Sequence, residues 1–231
     1  MPETAAAHRT VSRLGWLSSE PKRFRHLVLK RSVFQKVGAE QVIYAAGDPP
    51  GGVFGLVSGG LRILVAPPET ASFSIHLFVP GSWTGEAAAV TGKRRLVTVT
   101  TTRETDLLHL PLAAVNAILR EDAEAFRSFA RLTHWHLATA LGAVGDLMLR
   151  DPHKRVVAAL LRLCGCRSET PDGLGPVGID LAQKDLAHMS NVGRTLANKI
   201  LQELETTGQI EIGYRRVKVI SPDELRQMIS K

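Results

Sequence analysis

The segment from residue 35 to residue 110 is a succession of short runs of β-forming residues, punctuated by glycine. The turn signals stand at residues 47–52, 58–60, 66–68 and 80–81. Many short strands at regular spacing are typical of a β-sandwich or a jelly-roll barrel. We therefore predict that this part of the chain forms a jelly-roll.

A long helix is predicted over residues 123–149, because this segment contains no proline and Asp122 can cap its first turn. Mostly apolar residues recur along it at spacings of four and three, namely Phe126, Ala130, Thr133, Leu137, Ala140, Val144 and Leu147. This heptad pattern extends over about 40 Å, which is longer than a small β-roll needs for its own cover. The pattern favours a homodimer through this helix over the alternative, a core stripe within one chain.

A second domain is predicted after Asp151-Pro152, which should end the long helix. Residues 181–189 and 193–205 have helical patterns and are joined by a tight connector at 190–193. At about 100° per residue, the second helix carries two opposite arcs. The apolar arc holds Leu196, Ala197, Ile200, Leu201 and Leu204, and the polar arc holds Arg194, Thr195, Asn198, Lys199 and Gln202.

The polar arc contains the side chains that read base edges in the major groove of DNA. Arg pairs with guanine, Asn and Gln pair with adenine, and Lys and Thr contact bases or phosphates. Residues 209–212 and 217–220 alternate as two strands around a turn at 213–216, where Arg215 and Arg216 could meet phosphates. Helix, tight turn, polar-faced helix and basic hairpin, in this order, predict a winged helix-turn-helix that binds DNA.

Composition agrees with a globular protein that binds polyanions, since the net charge is +7 and the pI is near 9.8. The sequence has no run of about 18 apolar residues and no leader, so we expect a cytoplasmic protein without a membrane segment. Cys164 and Cys166 cannot supply the four ligands of a closed zinc or iron–sulfur site. We expect two free thiols, with a redox role as the alternative.

Enzymatic activity is not expected from this sequence. A metal enzyme on a jelly-roll of cupin type would need clustered His and Glu on facing strands, and neither His76 nor His109 belongs to such a set. No metal site is therefore predicted, and binding rather than catalysis is the expected function.

The chain resembles the cyclic-AMP receptor protein / fumarate and nitrate reduction regulator (CRP/FNR) superfamily of bacterial transcription regulators over about residues 35–221. The resemblance is carried by the order and spacing of Gly47, Asp48, Gly59, Gly60, residues 80–86, Gly92, Arg95 and residues 186–205. It implies an α+β fold with an N-terminal double-stranded β-helix, a long dimerisation helix and a C-terminal winged helix-turn-helix. The expected divisions are an N-terminal tail (1–20), an effector-sensing β-roll (21–121), the dimerisation helix (122–150) and the DNA-binding domain (151–231).

The resemblance also implies an effector in the β-roll, with cAMP or cGMP as candidates. The phosphate-binding cassette of the family aligns with residues 85–96, so that Gly85 and Ala87 belong to the helical turn whose N–H groups face a phosphate. Arg95 matches the arginine that binds the cyclic phosphate, and Glu86 matches the carboxylate that binds the ribose hydroxyl.

The cassette departs from the pattern of the nucleotide-binding members at several positions. Leu96 stands where they usually have a Ser or Thr hydroxyl, and the segment is one residue shorter. Ala140 and Leu141 stand where the best-known member offers two hydroxyls to the purine. An alternative function is therefore an effector-independent regulator whose β-roll is a dimerisation scaffold, with Glu86 and Arg95 as a structural ion pair.

Other sensor types of the family lack their ligands in this sequence. The iron–sulfur type needs an N-terminal cysteine set, and the haem type needs axial ligands that His76 alone does not supply. The resemblance further implies a pseudo-palindromic site on double-stranded DNA and RNA polymerase as a partner. Arg194 and Lys199 match basic contact residues, whereas Thr195 replaces a frequent glutamate that accepts from cytosine.

Overall fold

The computed structural model describes residues 2–66, 72–170 and 176–230. The chain forms two compact units, Met1–Val65 with Phe78–Leu137, and Ala66–Leu77 with Ala138–Lys231. Pro67 and Pro68 of one predicted turn lie outside the described residues. The predicted α+β fold, with a β-roll, a long helix and a helix-turn-helix, is confirmed.

Short antiparallel strands build the β-roll, as the glycine-punctuated pattern predicts. In chain order the strands are β1 (Val33–Val37), β2 (Val42–Tyr44), β3 (Gly52–Ser58), β4 (Leu61–Val65), β5 (Phe73–Phe78), β6 (Trp83–Thr84), β7 (Thr98–Thr101) and β8 (Thr105–Pro111), of which β5 falls mostly in the second compact unit. One sheet has the order β1-β8-β3-β6, and in a second sheet β7 pairs with both β2 and β4. The registers Val53↔Leu110 and Ile63↔Val99 place apolar residues opposite one another in each sheet.

The β-roll is filled by side chains from both sheets. Its interior cluster includes Tyr44, Phe54, Leu56, Leu61, Phe78, Val99 and Leu107. Successive side chains of a strand point to opposite faces, so Phe54 and Leu56 of β3 join this cluster, whereas Val53 joins the apolar cluster on the other face. Two further helices of this unit follow strands of the roll, α4 (Glu86–Thr91) after β6 and α5 (Leu112–Glu121) after β8.

The prediction of an N-terminal tail over residues 1–20 is wrong for the described part of that segment. Residues there form α1 (Pro2–Arg13) and α2 (Trp16–Ser19), and α3 (Lys22–Arg31) follows. Ala7, Val11 and Leu17 are buried. Gly15 has a φ of 68°, and a Cβ there would lie 2.1 Å from the carbonyl oxygen of Gly81. The segment is polar by composition, but its few apolar residues fall on one side of the helices and join the core.

Aromatic side chains attach these N-terminal helices to the unit. The Trp16 ring packs against Phe24, Trp83 and Phe129, with ring centroids 5.7 to 5.9 Å apart. Its indole N–H donates to the carbonyl oxygen of Ser128, at 3.0 Å. The Glu20 carboxylate, which is buried, accepts from Arg131. These contacts join the chain start to the helix that carries residues 128–131.

That helix, α6 (Ala125–Leu147), is the long helix predicted over residues 123–149. Its first turns supply Ala125, Phe129 and Leu132 to the core of the first unit. The predicted domain boundary at residue 122 would therefore assign Phe129 and Leu132 to a different domain from the core in which they pack. The compact units instead divide within α6, between Leu137 and Ala138.

The second unit contains a winged helix-turn-helix. Its further elements are α7 (Pro152–Leu163), β9 (Val177–Ile179), α8 (Gln183–Met189), α9 (Arg194–Thr206), β10 (Ile210–Gly213), β11 (Arg216–Val219) and α10 (Pro222–Ser230). Asp151 caps α7, accepting from the backbone N–H of His153 at 2.8 Å. The sheet order is β10-β11-β9, so a third strand joins the predicted two-stranded wing.

We predict that replacing Leu17 with Ala destabilises the first unit, because Leu17 is fully buried. The free energy of unfolding should fall by about 2–5 kcal/mol. All three tryptophans lie in this unit, so the change can be measured by urea titration followed by tryptophan fluorescence. Leu14→Ala is the control, since Leu14 is 48% exposed and its truncation should cost less than about 0.5 kcal/mol. Equal stability of Leu17→Ala and the parent would restore the tail interpretation.

Candidate functional site

The two helices of the helix-turn-helix are connected by a short, well-bonded turn. α8 ends at Met189, with Ser190 as its C-cap, and α9 begins after Gly193. Asn191 adopts a left-handed conformation with φ of 48°, which asparagine tolerates better than most residues. The backbone N–H of Val192 donates to the carbonyl oxygen of Ala187 at 3.0 Å. This turn sets the direction in which α9 leaves α8.

One side of α9 packs in the core of the second unit, and the other side faces out. Ala197, Ile200, Leu201 and Leu204 are buried, whereas Leu196, which we predicted on the packed arc, is 39% exposed. Arg194, Thr195, Lys199 and Gln202 are exposed, and Asn198 is half-buried. The predicted polar arc is therefore an outer face of the helix, except that Asn198 lies at its edge.

The wing is tighter than the sequence predicts. Gly213 pairs with Arg216, so Tyr214 and Arg215 alone form the turn. Arg215 has φ of 51°, and its carbonyl oxygen accepts from the backbone N–H of Leu181 at 3.0 Å. The side chain of Arg216 lies across β9, because a Cβ on Gly178 would be 2.3 Å from its Nη2. Tyr214 is 94% exposed at the tip.

A groove of about 410 Å³ separates the start of α8 from the wing. Leu181, Leu201, Ile212 and Val217 are among its apolar lining residues, and its charged lining residues are Lys184, Arg194, Arg215 and Arg216. Four cationic side chains around one groove create a positive potential that favours a polyanion. Lys184 was not predicted as a site residue, because its place beside the wing depends on the fold.

The cassette of residues 85–96 forms a second candidate site, in the first unit. Gly85 has φ of 97° and precedes α4, and Gly92 follows α4 in the same left-handed region. A Cβ on Gly85 would lie 2.5 Å from Nη1 of Arg95 and 2.8 Å from the carbonyl oxygen of Gly52. Glycine is therefore required here by both conformation and space. Ala87 lies on α4 and is half-buried.

Arg95 is buried, and its guanidinium is bonded to the protein's own backbone. Nη1 donates to the carbonyl oxygen of Gly85 at 2.7 Å, and Nη2 donates to that of Gly52 at 2.8 Å. The guanidinium carbon lies 4.2 Å from the centre of the Tyr44 ring, within range of a cation–π interaction. Nε has no hydrogen-bond partner among the described residues. Burial lowers the pKa of Arg95 from its usual value and raises the pKa of Tyr44 to about 12.

Glu86 is also buried, and its partners come from α6. Nδ1 of His136 lies 2.9 Å from Oε1 of Glu86, and the hydroxyl of Thr133 lies 3.3 Å from the same oxygen. Within the described residues, Glu86 and Arg95 form no direct ion pair, which corrects that part of the alternative interpretation. Thr133, which we predicted in the heptad pattern, instead contacts Glu86 at the start of α4. The sequence gives no signal for His136, because fifty positions separate it from Glu86.

The remaining predicted effector residues, Leu96, Ala140 and Leu141, are exposed. Leu96 is 84% exposed, so the position of the family hydroxyl faces solvent. Ala140 and Leu141 are exposed on α6, and both fall in the second compact unit. The structure therefore brings together Gly85, Glu86 and Arg95, with Ala87 beside them on α4.

Two family models match the chain in the order of these sites. Residues 34–122 match the cyclic nucleotide-binding domain, and residues 154–228 match the Crp-like helix-turn-helix domain. The chain belongs to the CRP/FNR superfamily. It has the domains of a DNA-binding transcription regulator of this family.

Relatives of known function and structure share this arrangement. The chain is 22% identical over 183 residues to a CRP-like cAMP-activated global transcriptional regulator of Mycobacterium tuberculosis, covering 79% of this chain and 82% of that protein. It is 24% identical over 215 residues to the global nitrogen regulator of Synechocystis sp., covering 86% and 95%. The structure of FixK2 from Bradyrhizobium japonicum superposes with a TM-score of 0.71 at 15% identity, covering 85% and 96%, which shows a common fold.

The described part of this CRP/FNR chain contains no group of metal ligands, no disulfide between its two cysteines and no helix that could span a membrane. Among the described residues, no three His, Cys, Asp or Glu side chains are grouped so that they could hold a metal ion. Cys164 and Cys166 are buried and not joined by a disulfide, and burial raises the pKa of Cys164 to about 12, which disfavours the reactive thiolate. In the described ranges, every helix is too short or too polar to cross a bilayer.

Proposed function

We propose that this CRP/FNR protein is a cytoplasmic, homodimeric regulator that binds a pseudo-palindromic site on double-stranded DNA. The observation that carries the proposal is the outer face of α9, whose Arg194 borders a groove shared with the arginines of the wing. A recognition helix contacts bases through its first turns, and flanking cations contact phosphates. RNA polymerase is the proposed partner at the promoter, by family resemblance, and the protein acts by binding rather than by catalysis.

An exposed apolar face along α6 supports the proposed dimer. Phe126, Leu137 and Val144 are each more than half exposed, and so are Leu141 and Met148. Residues 137, 141, 144 and 148 follow a spacing of four, three and four, which gives one continuous stripe. Fully burying a large apolar side chain contributes about 1.5–3 kcal/mol, so a second α6 helix that covers this stripe would be strongly favoured. Leu141 is accordingly a dimer residue in this proposal.

Charged residues in the stripe are expected to dissociate the dimer. The double variant Leu137→Glu/Val144→Glu would place carboxylates inside the apolar contact, where each lacks a partner. Sedimentation equilibrium should then give the monomer mass or aggregates. Gly142→Glu is the control, because Gly142 lies about 140° around the helix from Leu137 and a Cβ there meets nothing within 4 Å. A double variant that sediments as an unchanged dimer would refute the α6 interface.

DNA recognition should separate into base and phosphate contacts. Arg194→Ala is expected to cost about 1–3 kcal/mol on the selected site and to relax the preference at one base pair in each half-site. Arg216→Ala should weaken specific and non-specific binding alike, and should lower the salt slope by about one unit for each phosphate that the dimer no longer neutralises. Selection from a randomised duplex pool, followed by salt titrations, measures both. Unaltered base preferences for Arg194→Ala would contradict its assignment to a guanine.

Two half-sites about one helical turn, or 34 Å, apart are expected in the selected sequence, because a two-fold dimer presents two copies of α9. Thr195, Lys199 and Gln202 supply further base or phosphate contacts, with Asn198 at the margin of the surface. The cytosine position of the half-site should differ from that of family members that have glutamate in place of Thr195.

Effector control is proposed through an anion bound at Arg95, with cAMP and cGMP as the candidate ligands. Gly85, Ala87 and the start of α4 would present backbone N–H groups, and Glu86 would be the secondary anchor. Arg95 fits this task by its place and charge, since its buried Nε lacks a partner among the described residues. An anion would then have to compete with the carbonyl oxygens of Gly85 and Gly52 for the guanidinium.

A second candidate is the effector-independent regulator, and a specific observation favours it. Arg95 already donates to two carbonyl oxygens, and Glu86 already accepts from His136. Buried charged groups are costly unless they are bonded, so these internal partners stabilise the β-roll without any ligand. The exposed Leu96 supplies no hydroxyl to a nucleotide. In this case the β-roll serves as the scaffold that positions α6.

Calorimetric titration with cAMP and cGMP separates the two candidates. If an anionic nucleotide binds, Arg95→Ala should weaken its binding by at least about tenfold, because the variant cannot make the charge-assisted hydrogen bonds to the phosphate. Arg94→Ala is the control, since the exposed Arg94 side chain donates to the carbonyl oxygen of Gly47 instead. Undiminished affinity of Arg95→Ala for the nucleotide would remove Arg95 as the anchor. Absence of binding to the parent protein, together with intact DNA binding, would support the effector-independent regulator.

A further inference from the structure

The short connection between α6 and α7 is held by one arginine side chain, that of Arg155. Among the described residues, all of its hydrogen-bond partners are backbone carbonyl oxygens of the second unit. Nη1 donates to Leu149 at 3.0 Å and to Arg150 at 3.1 Å, which follow the end of α6. Nε donates to Ser190 at 2.9 Å and Nη2 to Asn191 at 3.2 Å, which form the turn of the helix-turn-helix.

The chemistry of these four acceptors explains why arginine stands here. The carbonyl oxygens lie at or just beyond the C-terminal ends of α6 and α8, where helices leave acceptors without a partner in the helix and carry partial negative charge. A guanidinium has a planar fork of five donors and can therefore bond two chain segments at once, which a lysine ammonium does with less directional precision. Charge-assisted hydrogen bonds of this kind are among the stronger ones in proteins.

The end of α6 is anchored to α7 independently of Arg155. Asp146, near the end of α6, accepts from Nε of Arg162 at 3.1 Å and from Nε of Arg167 at 2.8 Å. The Asp146 and Arg162 side chains are 4% and 5% exposed. This ion pair fixes α6 to α7, but it makes no contact with the turn before α9. Arg155 supplies that second connection.

We propose that Arg155 is a positioning residue that fixes the helix-turn-helix turn, and with it the start of α9, relative to the end of α6. Arg194 begins α9 three residues after Asn191, so a displacement of the turn moves the recognition helix directly. The proposal rests on the proposed function for its consequence in DNA binding. In a dimer held by α6, the spacing of the two recognition helices then depends on this guanidinium together with the packing of α7 against α8 and α9.

The direct test is the distance between spin labels on α6 and α9 in the free, full-length protein. Labels at Gly142→Cys and Thr206→Cys report it, because Gly142 has open space for a Cβ and Thr206 is exposed. The native cysteines are buried, which directs labelling to the introduced ones. An excess of unlabelled chain isolates the distance within one protomer. The parent should give one narrow distance distribution by pulsed electron paramagnetic resonance.

Arg155→Ala should broaden this distribution by about twofold or more, well below the thermal unfolding midpoint of the variant, because the turn is no longer bonded to the end of α6. Arg155→Lys should give an intermediate width, since it keeps the charge without the fork. Arg150→Ala is the matched control, because the exposed Arg150 contributes only its backbone carbonyl oxygen to the hydrogen bonds of Arg155. A parent-like distribution in Arg155→Ala overturns the proposal. Should Arg155→Ala fail to fold, a parent-like distribution in Arg155→Lys overturns it as well.

DNA binding gives a second, independent readout. On the duplex that the parent selects from a random pool, Arg155→Ala should bind about tenfold more weakly, within the range typical of coupling between sites. Its salt slope should equal that of the parent, because every phosphate contact remains available. A reduced slope would mean that Arg155 itself binds a phosphate and would overturn the positioning role. A parent that selects no DNA refutes the proposed function, while the spin-label distances still decide the role of Arg155.

Discussion

Helix α6 contributes to the structure of both units, and the rest of the architecture depends on its continuity. Its first turns bury Phe129 and Leu132 in the core of the β-roll unit, and Asp146 near its end is held by Arg162 in the second unit. Between these ends it contains no proline and exposes an apolar stripe. A single element thus packs in the core of the first unit and is held by an ion pair in the second.

Desolvation of charge governs the cassette. Arg95 and Glu86 are buried, and a buried charge without partners is strongly unfavourable. The fold meets this requirement with backbone carbonyl oxygens for Arg95 and with His136 for Glu86. A ligand gains free energy there only by the difference between its own contacts and those it replaces. Since His136 lies on α6 and Glu86 on α4, displacement of their contact would release a hydrogen bond between these two helices.

In the DNA-binding unit, by contrast, the charged side chains at the groove remain exposed to solvent. Its cations at the groove, Lys184, Arg194 and the two arginines of the wing, are placed around a solvent-open surface. Exposed cations retain their hydration and can exchange it for phosphate contacts. Arg155, by contrast, has its donors bonded to four carbonyl oxygens and is committed to holding the backbone. We therefore propose recognition for the arginines at the groove and a positioning role for Arg155.

The sequence by itself determined the order of the domains, the strand-rich roll, the long helix and the polar face of α9, because these follow from local periodicity and from turn residues. It did not predict the packing of the N-terminal helices, which are polar on average and depend on Trp16 reaching the aromatic core. Nor did it predict that Asn198 is half-buried, that Leu196 is partly exposed, or that Lys184 borders the wing. Only the tertiary structure decided that His136 forms a hydrogen bond with Glu86 and that Arg95 donates hydrogen bonds to the carbonyl oxygens of Gly52 and Gly85. The same holds for Arg155, which joins the segment after α6 to the turn between α8 and α9. These contacts connect residues far apart in the chain, and the spacing of residue types carries no record of which acceptor a long, flexible cationic side chain will meet after the chain has folded.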